Sequence, residues 1–238
     1  MIRTVLMLAF WTLALPVAAL VGFPWTFLTR DISFLYRISM WGAWTGVKLA
    51  GVKVETVGLE KLDPSLTYIF MSNHASNLDP PILLPLIPRR TSVMAKKELF
   101  SYPILGETMR LGSLVPVDRG NRDAGIAAVH DAAKVVRQGI NMTIYVEGKR
   151  SFDGKLLPFK KGPFYLAEEC QVPVVPVTIA GAFEAWPAGR RLPRPGRITI
   201  TYHAPLDATA LPPDADRRAR PEIMMALARE RIAAALPA

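Results

Sequence analysis

A histidine and an aspartate stand five positions apart at the end of a predicted strand. The apolar run at residues 67–72 predicts a buried strand, and the letters NHASNLDPP that follow it contain His74 and Asp79. Asp79 before Pro80 predicts a helix that begins with an aspartate cap. Across this short turn a carboxylate can reach the imidazole, fix its tautomer and raise the basicity of its second nitrogen. The spacing therefore fits a general base, and it fits equally a plain helix cap beside a loop histidine.

Two further predicted strands end in segments that contain arginine and glycine. The strand at residues 142–146 leads into Glu147-Gly148-Lys149-Arg150-Ser151. Earlier in the chain, the strand at residues 113–117 leads into Asp118-Arg119-Gly120. Arginine beside glycine on a loop at a sheet edge is suited to bidentate binding of a phosphate group. Each segment taken alone is also explained as a solvated turn.

The elements that must position these residues alternate along the chain after residue 50. Short β-branched or aromatic runs predict strands at residues 52–57, 67–72, 92–95, 113–117, 142–146, 174–179 and 197–202. Helices are predicted at residues 79–87, 123–138, 163–169 and 216–236. The proline- and glycine-rich stretch 185–197 predicts a loop. Strands that alternate with helices predict the α/β class, with a mixed sheet flanked by helices.

The first 50 residues differ from the rest in composition. No charged residue occurs from Thr4 to Thr29, and about 20 apolar residues suffice to cross a bilayer. Pro16 and Pro24 predict kinks, so the segment either spans the membrane or dips into it and turns back. A secretory signal peptide is the alternative, although no clean cleavage site follows the run. The aromatic-rich stretch 32–49 suits the headgroup layer. The sequence therefore predicts membrane-associated helices at 1–50 and an α/β domain at 51–238.

The overall composition narrows the classes of function. Half of the 238 residues are hydrophobic, and 29 Lys and Arg against 20 Asp and Glu give a net charge of +9. Apolar excess with positive charge favours a protein at an anionic membrane surface, and it disfavours a disordered chain. A nucleic-acid binder would share the charge but not the apolar start. More lysine and arginine follow the apolar run than precede it. If residues 4–29 span the membrane, this asymmetry predicts the main domain on the cytoplasmic side of the inner membrane.

Metal and thiol chemistry are not expected. The single cysteine, Cys170, excludes an intrachain disulfide framework and fits a packed small side chain at a helix end. His130 and His203 have no third ligand at metal spacing. No metal site is therefore predicted.

The sequence blocks occur in an order that is specific in combination. They comprise Asn73-His74 with Asp79 five positions on, the segments 115–120 and 147–151, and a proline-containing block at 172–177. Over about residues 55–205 the chain resembles the 1-acyl-sn-glycerol-3-phosphate acyltransferase family, with its NHxxxxD motif, arginine block and EGTR-type motif. The usual FPEGTR reads YVEGKR here, because Val146 replaces the proline and Lys149 the threonine. This departure leaves the exact lysolipid open, and a lyso-ornithine lipid is an alternative acceptor.

The resemblance implies transfer of a fatty acyl group from acyl-CoA or acyl carrier protein to the sn-2 hydroxyl of 1-acyl-sn-glycerol-3-phosphate. The product would be phosphatidic acid. His74 would be the general base, and Asp79 would orient its imidazole. No cofactor and no acyl-enzyme are expected, because thioesters are already activated. A different membrane-associated hydrolase and a catalytically silent lipid-binding relative remain alternatives.

The resemblance and the loop positions also supply a set of substrate-binding candidates. Arg150, Arg119 and the backbone at Gly148 would hold the acceptor phosphate, and Glu147 would orient Arg150 or an acceptor hydroxyl. Lys96, at the exit of a predicted strand, would neutralise an oxyanion or a phosphate, or would only be a solvated turn lysine. The full set of predicted substrate-binding residues is Asn73, Lys96, Arg119, Glu147, Gly148 and Arg150.

Overall fold

Two long helices precede an alternation of strands and helices. A computed structural model describes residues 2–118, 120–207, 211, 216 and 218–237. Its helices are α1 (Ile2–Thr29), α2 (Ser33–Leu49), α3 (Asp79–Leu83), α4 (Pro103–Leu111), α5 (Arg122–Val136), α6 (Gly162–Cys170), α7 (Ala182–Ala185) and α8 (Arg220–Ala234). Its strands are β1 (Val52–Val57), β2 (Ile69–Ser72), β3 (Thr91–Lys96), β4 (Val115–Val117), β5 (Asn141–Tyr145), β6 (Val174–Ala180) and β7 (Gly196–Tyr202).

The seven strands of the described chain form one mixed sheet in the order β1-β7-β6-β2-β5-β3-β4. The central strand β2 pairs in parallel with β5 and β6, and β3 continues the parallel pairing to β4. The strand β7 runs antiparallel to β6, and β1 is parallel to β7. The carboxyl ends of β2, β5, β3, β4 and β6 therefore meet at one edge of the sheet. This architecture confirms the predicted α/β class.

The predicted elements agree with the structure except at a few places. Every predicted strand is present, with ends that differ by one or two residues. The predicted helix 79–87 is shorter, because the α-helix ends at Leu83 and a single 3₁₀ turn, Leu84–Leu86, follows. The final helix begins at Arg220 rather than at residue 216. The sequence reading missed α4, since this helix has only nine residues and no side-chain cap to mark its start.

Each face of the sheet is covered by its own hydrophobic cluster. Alternate residues of β2 point to opposite faces, so Phe70 joins one cluster whereas Ile69 and Met71 join the other. The first cluster includes Ile82 of α3 and is covered by α2 and α3, and the second is covered by α5, α6 and α8. The strand β2 is buried on both faces, which is typical of a central parallel strand.

The helices α1 and α2 pack along each other and onto the first cluster. Met7 of α1 is fully buried in that cluster, and the Thr4 hydroxyl donates to the backbone carbonyl of Pro193 at 3.2 Å. Pro16 and Pro24 lie within α1 and do not end it. Most of the outer surface of α1 is apolar and exposed, and the helix is long and apolar enough to cross a membrane. The structure therefore joins the amino-terminal helices to the core of the α/β domain.

A pair of glycines on α2 tests the packing of α1 against α2. A Cβ on Gly46 would lie 2.1 Å from Nε1 of Trp11, whereas a Cβ on Gly42 would meet nothing within 4 Å. The Trp11 indole also donates to the Gly42 carbonyl at 3.1 Å, so the ring cannot move without losing that bond. We expect Gly46→Ala to destabilise the protein by about 1–3 kcal/mol. Gly42→Ala is the matched control and should be neutral or stabilising by up to about 1 kcal/mol. Thermal melting in detergent measures both, and equal melting temperatures would contradict the packing.

Candidate active site

The predicted polar residues gather at the carboxyl edge of the sheet. His74 lies on the loop that leaves β2, and Glu147 and Arg150 lie on the loop that leaves the adjacent strand β5. The two loops are joined by their backbones, because the N–H of Ser151 donates to the carbonyl of His74 at 2.8 Å. Neighbouring parallel strands therefore bring together blocks that are more than 70 residues apart in the sequence.

The structure brings His74 and Asp79 into contact. Nδ1 of His74 lies 2.7 Å from Oδ2 of Asp79, and the same oxygen accepts the N–H groups of Ala75 at 2.9 Å and Ser76 at 2.8 Å. The carboxylate is fully buried. Asp79 was expected to cap α3, and this expectation is wrong, since Asp79 is the first residue of the helix and its side chain turns back into the loop. The contact leaves Nε2 as the ring nitrogen that can take a proton.

Both carboxylate oxygens of Glu147 accept backbone N–H groups, one of them in the loop that contains His74. Its Oε1 accepts the N–H of His74, and its Oε2 accepts the N–H of Leu157, both at 2.6 Å. Only 2% of Glu147 is exposed, and burial raises the pKa of its carboxyl group. Glu147 was expected to orient Arg150 or an acceptor hydroxyl, whereas in the structure its two oxygens bind backbone, and one of these contacts fixes the backbone of His74.

An aromatic ring packs against the imidazole. The Tyr145 ring, at the end of β5, stacks on the His74 ring with centroids 4.2 Å apart and an interplanar angle of 23°. Tyr145 is buried, and this burial raises the pKa of its phenol well above the usual value. The sequence analysis did not single out Tyr145, although an aromatic residue two positions before the glutamate was a signal that could have found it.

Arg150 contacts the loop that contains His74 through Asn77. Its guanidinium donates to Oδ1 of Asn77, which lies between His74 and Asp79 in the sequence. Gly148 adopts a left-handed conformation with φ of 73°, and its N–H donates to the Tyr145 carbonyl at 3.0 Å. The N–H of Gly148 is thus used within the turn, which does not match its expected role as a phosphate ligand. The glycine is needed for the turn itself, because L-residues rarely adopt this φ.

The remaining predicted residues are placed differently from one another. The amide of Asn73 exchanges two hydrogen bonds with the backbone of Ile179, at 2.8 and 2.9 Å, so it fixes β2 to β6 rather than facing a substrate. Lys96 ends β3 and is exposed, and it forms an ion pair with Glu98 at 3.3 Å. Arg119 lies outside the described residues. The core of the site is therefore His74 and Asp79, with Glu147 and Arg150 on the neighbouring loop.

A third segment supports the histidine loop and was also missed by the sequence reading. The backbone carbonyl of Trp186, directly after α7, accepts the Ser76 hydroxyl at 2.8 Å and the Asn77 N–H at 3.3 Å. This part of the chain falls within the predicted loop 185–197, for which the sequence indicated no partner. Such a contact joins residues more than 100 positions apart, so no local pattern predicts it.

The described residues contain no metal-binding cluster, and their single cysteine lies in a setting that disfavours a reactive thiolate. Within the described residues no cluster of three or more His, Cys, Asp or Glu side chains could hold a metal ion. Cys170 is half-buried at the end of α6, where burial raises the pKa of its thiol. Its Sγ lies 4.0 Å from the backbone carbonyl of Ala133. A thiol with a raised pKa has little thiolate and is a poor nucleophile.

Comparison with known proteins identifies the family of this chain. In architecture the chain is an α/β protein with a buried His–Asp pair at the carboxyl edge of a mixed sheet. The model of the acyltransferase family matches residues 53–180, which is more than half of the chain, and the chain belongs to this family. The match includes His74, Asp79, Glu147 and Arg150.

Individual relatives are similar over most of the chain. A 1-acyl-sn-glycerol-3-phosphate acyltransferase from Limnanthes alba is 35% identical over 77% of this chain and 64% of its own length. The enzyme of that name, alpha form, from Mus musculus is 30% identical over 70% of this chain and 59% of its own length. The chain thus spans less than two thirds of the length of these relatives.

A solved structure shows the same fold. The crystal structure of the 1-acyl-sn-glycerophosphate (LPA) acyltransferase PlsC from Thermotoga maritima superposes with a TM-score of 0.76 and is 24% identical. The similarity covers 98% of this chain and 94% of that one, so it includes the amino-terminal helices.

Replacement of Glu147 tests its role as a backbone acceptor. In Glu147→Gln, one of the two oxygens becomes an amide NH₂ that faces a backbone N–H at a buried position. We expect a loss of about 1–3 kcal/mol in the free energy of unfolding. Displacement of the His74 loop should also lower any activity that depends on His74. Chemical denaturation measures the first effect, with Glu230→Gln on the exposed surface of α8 as the control. Equal stability of the two variants would contradict the role of Glu147.

Proposed function

We propose that the protein is a membrane-bound acyltransferase that acylates the sn-2 hydroxyl of 1-acyl-sn-glycerol-3-phosphate to give phosphatidic acid. The observation that carries this proposal is the contact of His74 Nδ1 with the buried Asp79 at 2.7 Å, beside a loop that contains Arg150. The names of the relatives point to the same reaction.

In the proposed reaction His74 acts as the general base. A neutral imidazole carries one proton and has one ring nitrogen that can accept another. With Nδ1 donating to Asp79, Nε2 accepts the proton of the acceptor hydroxyl as its oxygen attacks the acyl thioester. The buried carboxylate of Asp79 keeps the ring in this tautomer and stabilises the imidazolium that forms. Collapse of the tetrahedral intermediate expels the thiolate, which takes up the proton from His74.

The acceptor headgroup is proposed to bind beside Arg150. The half-buried guanidinium is held next to the histidine loop by Asn77, which limits the positions that it can take. A guanidinium presents paired donors that match the oxygens of a phosphate. Binding the phosphate there would place the glycerol hydroxyl on the same side of the sheet edge as His74. Arg119 and Lys96 remain candidates for further contacts, as the sequence suggests.

The acyl donor is proposed to be acyl-CoA or acyl carrier protein, and no cofactor takes part. A thioester is activated enough for direct attack by a hydroxyl group, so the chain needs no nucleophile of its own. Cys170 fits this mechanism, because its raised pKa makes it a poor nucleophile.

We further propose that α1 and α2 bind the membrane, with the α/β domain at the cytoplasmic surface of the inner membrane. Leu13 and Leu20 on the outer side of α1 are 69% and 76% exposed, and aqueous solvent disfavours such an apolar surface. Burial of these side chains in lipid would hold the site where its acceptor lies. The basic residues that follow α1, including Arg30 and Arg37, are exposed and suit an anionic surface.

Substitutions of the pair test the reaction. His74→Ala should lower turnover on the order of 10²–10⁴-fold, because no other group in the site takes the proton. Asp79→Asn should lower it nearly as far, and the double variant should be little worse than the poorer single one, since the two residues act as a unit. The assay uses purified protein in detergent with lysophosphatidate or lyso-ornithine lipid, each with coenzyme A and carrier-protein donors.

Two variants serve as controls for this assay. His130→Ala, on the exposed surface of α5, and Cys170→Ser should both stay active. A folded His74→Ala protein with near wild-type turnover would disprove the general base, and an acyl group trapped on Cys170 would replace it with a covalent mechanism. Acylation of lyso-ornithine lipid alone would change the acceptor. Lysolipid binding without any turnover would indicate a silent relative.

Charged substitutions on α1 test membrane binding. Leu13→Glu with Leu20→Glu removes two exposed apolar side chains without touching the core, and each should weaken partitioning into anionic vesicles by about tenfold or more. Ile126→Glu on α5 is the matched control, because Ile126 is 49% exposed on the opposite face of the sheet. Vesicle flotation measures the bound fraction, and melting in detergent checks the fold. Undiminished flotation of the double variant would contradict a lipid-facing α1.

A further inference from the structure

The stacked tyrosine behind the histidine carries a hydroxyl group that the proposed reaction does not use. Tyr145 lies flat against the His74 ring, with centroids 4.2 Å apart, and its hydroxyl is buried without a hydrogen-bond partner in the described part of the chain. Buried polar atoms in proteins are almost always hydrogen-bonded, either to protein or to an ordered water. The hydroxyl of Tyr145 therefore requires a partner.

Two other polar atoms of the same region are also buried without a hydrogen-bond partner. Oδ1 of Asp79 and the hydroxyl of Tyr202 are both buried, and neither has a hydrogen-bond partner among the described residues. Oδ1 is the second oxygen of the carboxylate whose Oδ2 contacts His74. The negative charge of Asp79, and the nearby Tyr202, each add to the raised pKa of Tyr145, after the larger effect of burial. Tyr145 thus lies within electrostatic reach of both Asp79 and Tyr202.

The sheet register explains why these atoms come together. Tyr145 of β5 pairs with Ser72 of β2, Ser72 pairs with Val177 of β6, and Val177 pairs with Tyr202 of β7. Paired positions on neighbouring strands point to the same face of the sheet, so this row has a tyrosine at each end and two small side chains between them. Asp79 lies on the element that covers this face. The two phenols therefore project from the same face of the sheet, with only Ser72 and Val177 between them in this row.

We propose that Tyr145 is a positioning residue for His74, and that its hydroxyl, the Tyr202 hydroxyl and Oδ1 of Asp79 together bind one buried water molecule behind the His–Asp pair. A buried water typically makes about three hydrogen bonds to otherwise unsatisfied groups, which is the number offered here. The Tyr145 hydroxyl donates to the water, and the water donates to Oδ1. This proposal rests on the proposed function only for the effect on turnover, because the water site itself needs no substrate.

The proposed water disfavours uptake of a proton by the His74–Asp79 pair. A donor on Oδ1 stabilises the state in which Asp79 is charged and His74 is neutral, which is the state that the reaction requires. Loss of this donor favours uptake of a proton by the pair, so the titration of the pair moves to higher pH. Among the described residues, two charged groups form hydrogen bonds with the loop: Glu147 accepts the His74 N–H, and Arg150 donates to Asn77. Arg229 lies within electrostatic reach of Glu147. Neither hydrogen bond involves the hydroxyl of Tyr145 or Tyr202.

Removal of single hydroxyl groups tests the water site. Tyr145→Phe and Tyr202→Phe keep both rings and each remove one ligand of the water. We expect each to move the histidine titration, and the acid limb of the kcat/KM profile, to higher pH by about one unit. The double variant should shift no further than the larger single shift, because both hydroxyls act through the same water. Tyr68→Phe is the matched control, since the Tyr68 hydroxyl is bound instead to the backbone of Asp63 at 3.2 Å.

The titration is read by nuclear magnetic resonance of the full chain with ¹⁵N-labelled histidine in detergent. The chain has three histidines, so the His74 signal is assigned by its loss in His74→Ala. A Tyr145→Leu variant removes the ring as well, and its kcat should fall about tenfold or more below that of Tyr145→Phe with little change in the acceptor KM.

The outcomes separate this inference from the proposed reaction. Unchanged His74 titration in both Tyr145→Phe and Tyr202→Phe would overturn the water site, and so would a shift in Tyr145→Phe alone, since the two hydroxyls would then not share a ligand. Equal turnover of Tyr145→Leu and Tyr145→Phe would overturn the positioning role of the ring. If His74→Ala kept its turnover, the general base would be wrong, and the histidine titration would still decide the water site.

Discussion

The fully buried carboxylate of Asp79 is the constraint on which the site depends. A buried charge is tolerated only where hydrogen bonds replace its hydration. Oδ2 obtains three donors, which are the imidazole of His74 and the N–H groups of Ala75 and Ser76. The loop must fold back over the start of α3 to supply them. The same requirement that makes the loop compact therefore also holds the imidazole with Nε2 free for a substrate.

A second buried carboxylate, Glu147, extends this arrangement to the neighbouring strand. Its two oxygens accept the backbone N–H groups of His74 and Leu157, so the loops after β2 and β5 cannot move independently. Tyr145 adds an aromatic surface against the imidazole. Because the surrounding groups are held by these contacts without a substrate, the proposed proton transfer would need little reorganisation. The EGTR-type motif, which the sequence associates with phosphate binding, thus also holds the loop that contains His74.

The helix α1, which is proposed to face the membrane, and the candidate site belong to one packed unit. Met7 of α1 and Val47 of α2 belong to the same hydrophobic cluster as Ile82 of α3, which follows the His–Asp loop. The exposed apolar side of α1 therefore has a definite position relative to His74. A lysolipid held in a bilayer has a hydroxyl near the headgroup layer, and a site fixed beside a lipid-bound helix would meet that hydroxyl without lifting the whole lipid into water.

The sequence by itself determined the α/β class, the seven strands and the long apolar start, and its five-residue spacing made contact of His74 with Asp79 one of two interpretations. These features follow from local patterns, namely alternation, charge-free length and a five-residue spacing across one turn. Only the tertiary structure decided what Asp79 does at the start of α3, that Glu147 binds backbone, that Asn73 joins β2 to β6, and that Tyr145 lies against His74. Each of these depends on which strands become neighbours and on which polar atoms are buried together. Burial requires every such atom to find a partner, and that partner is often more than 70 residues away, where no local pattern can indicate it.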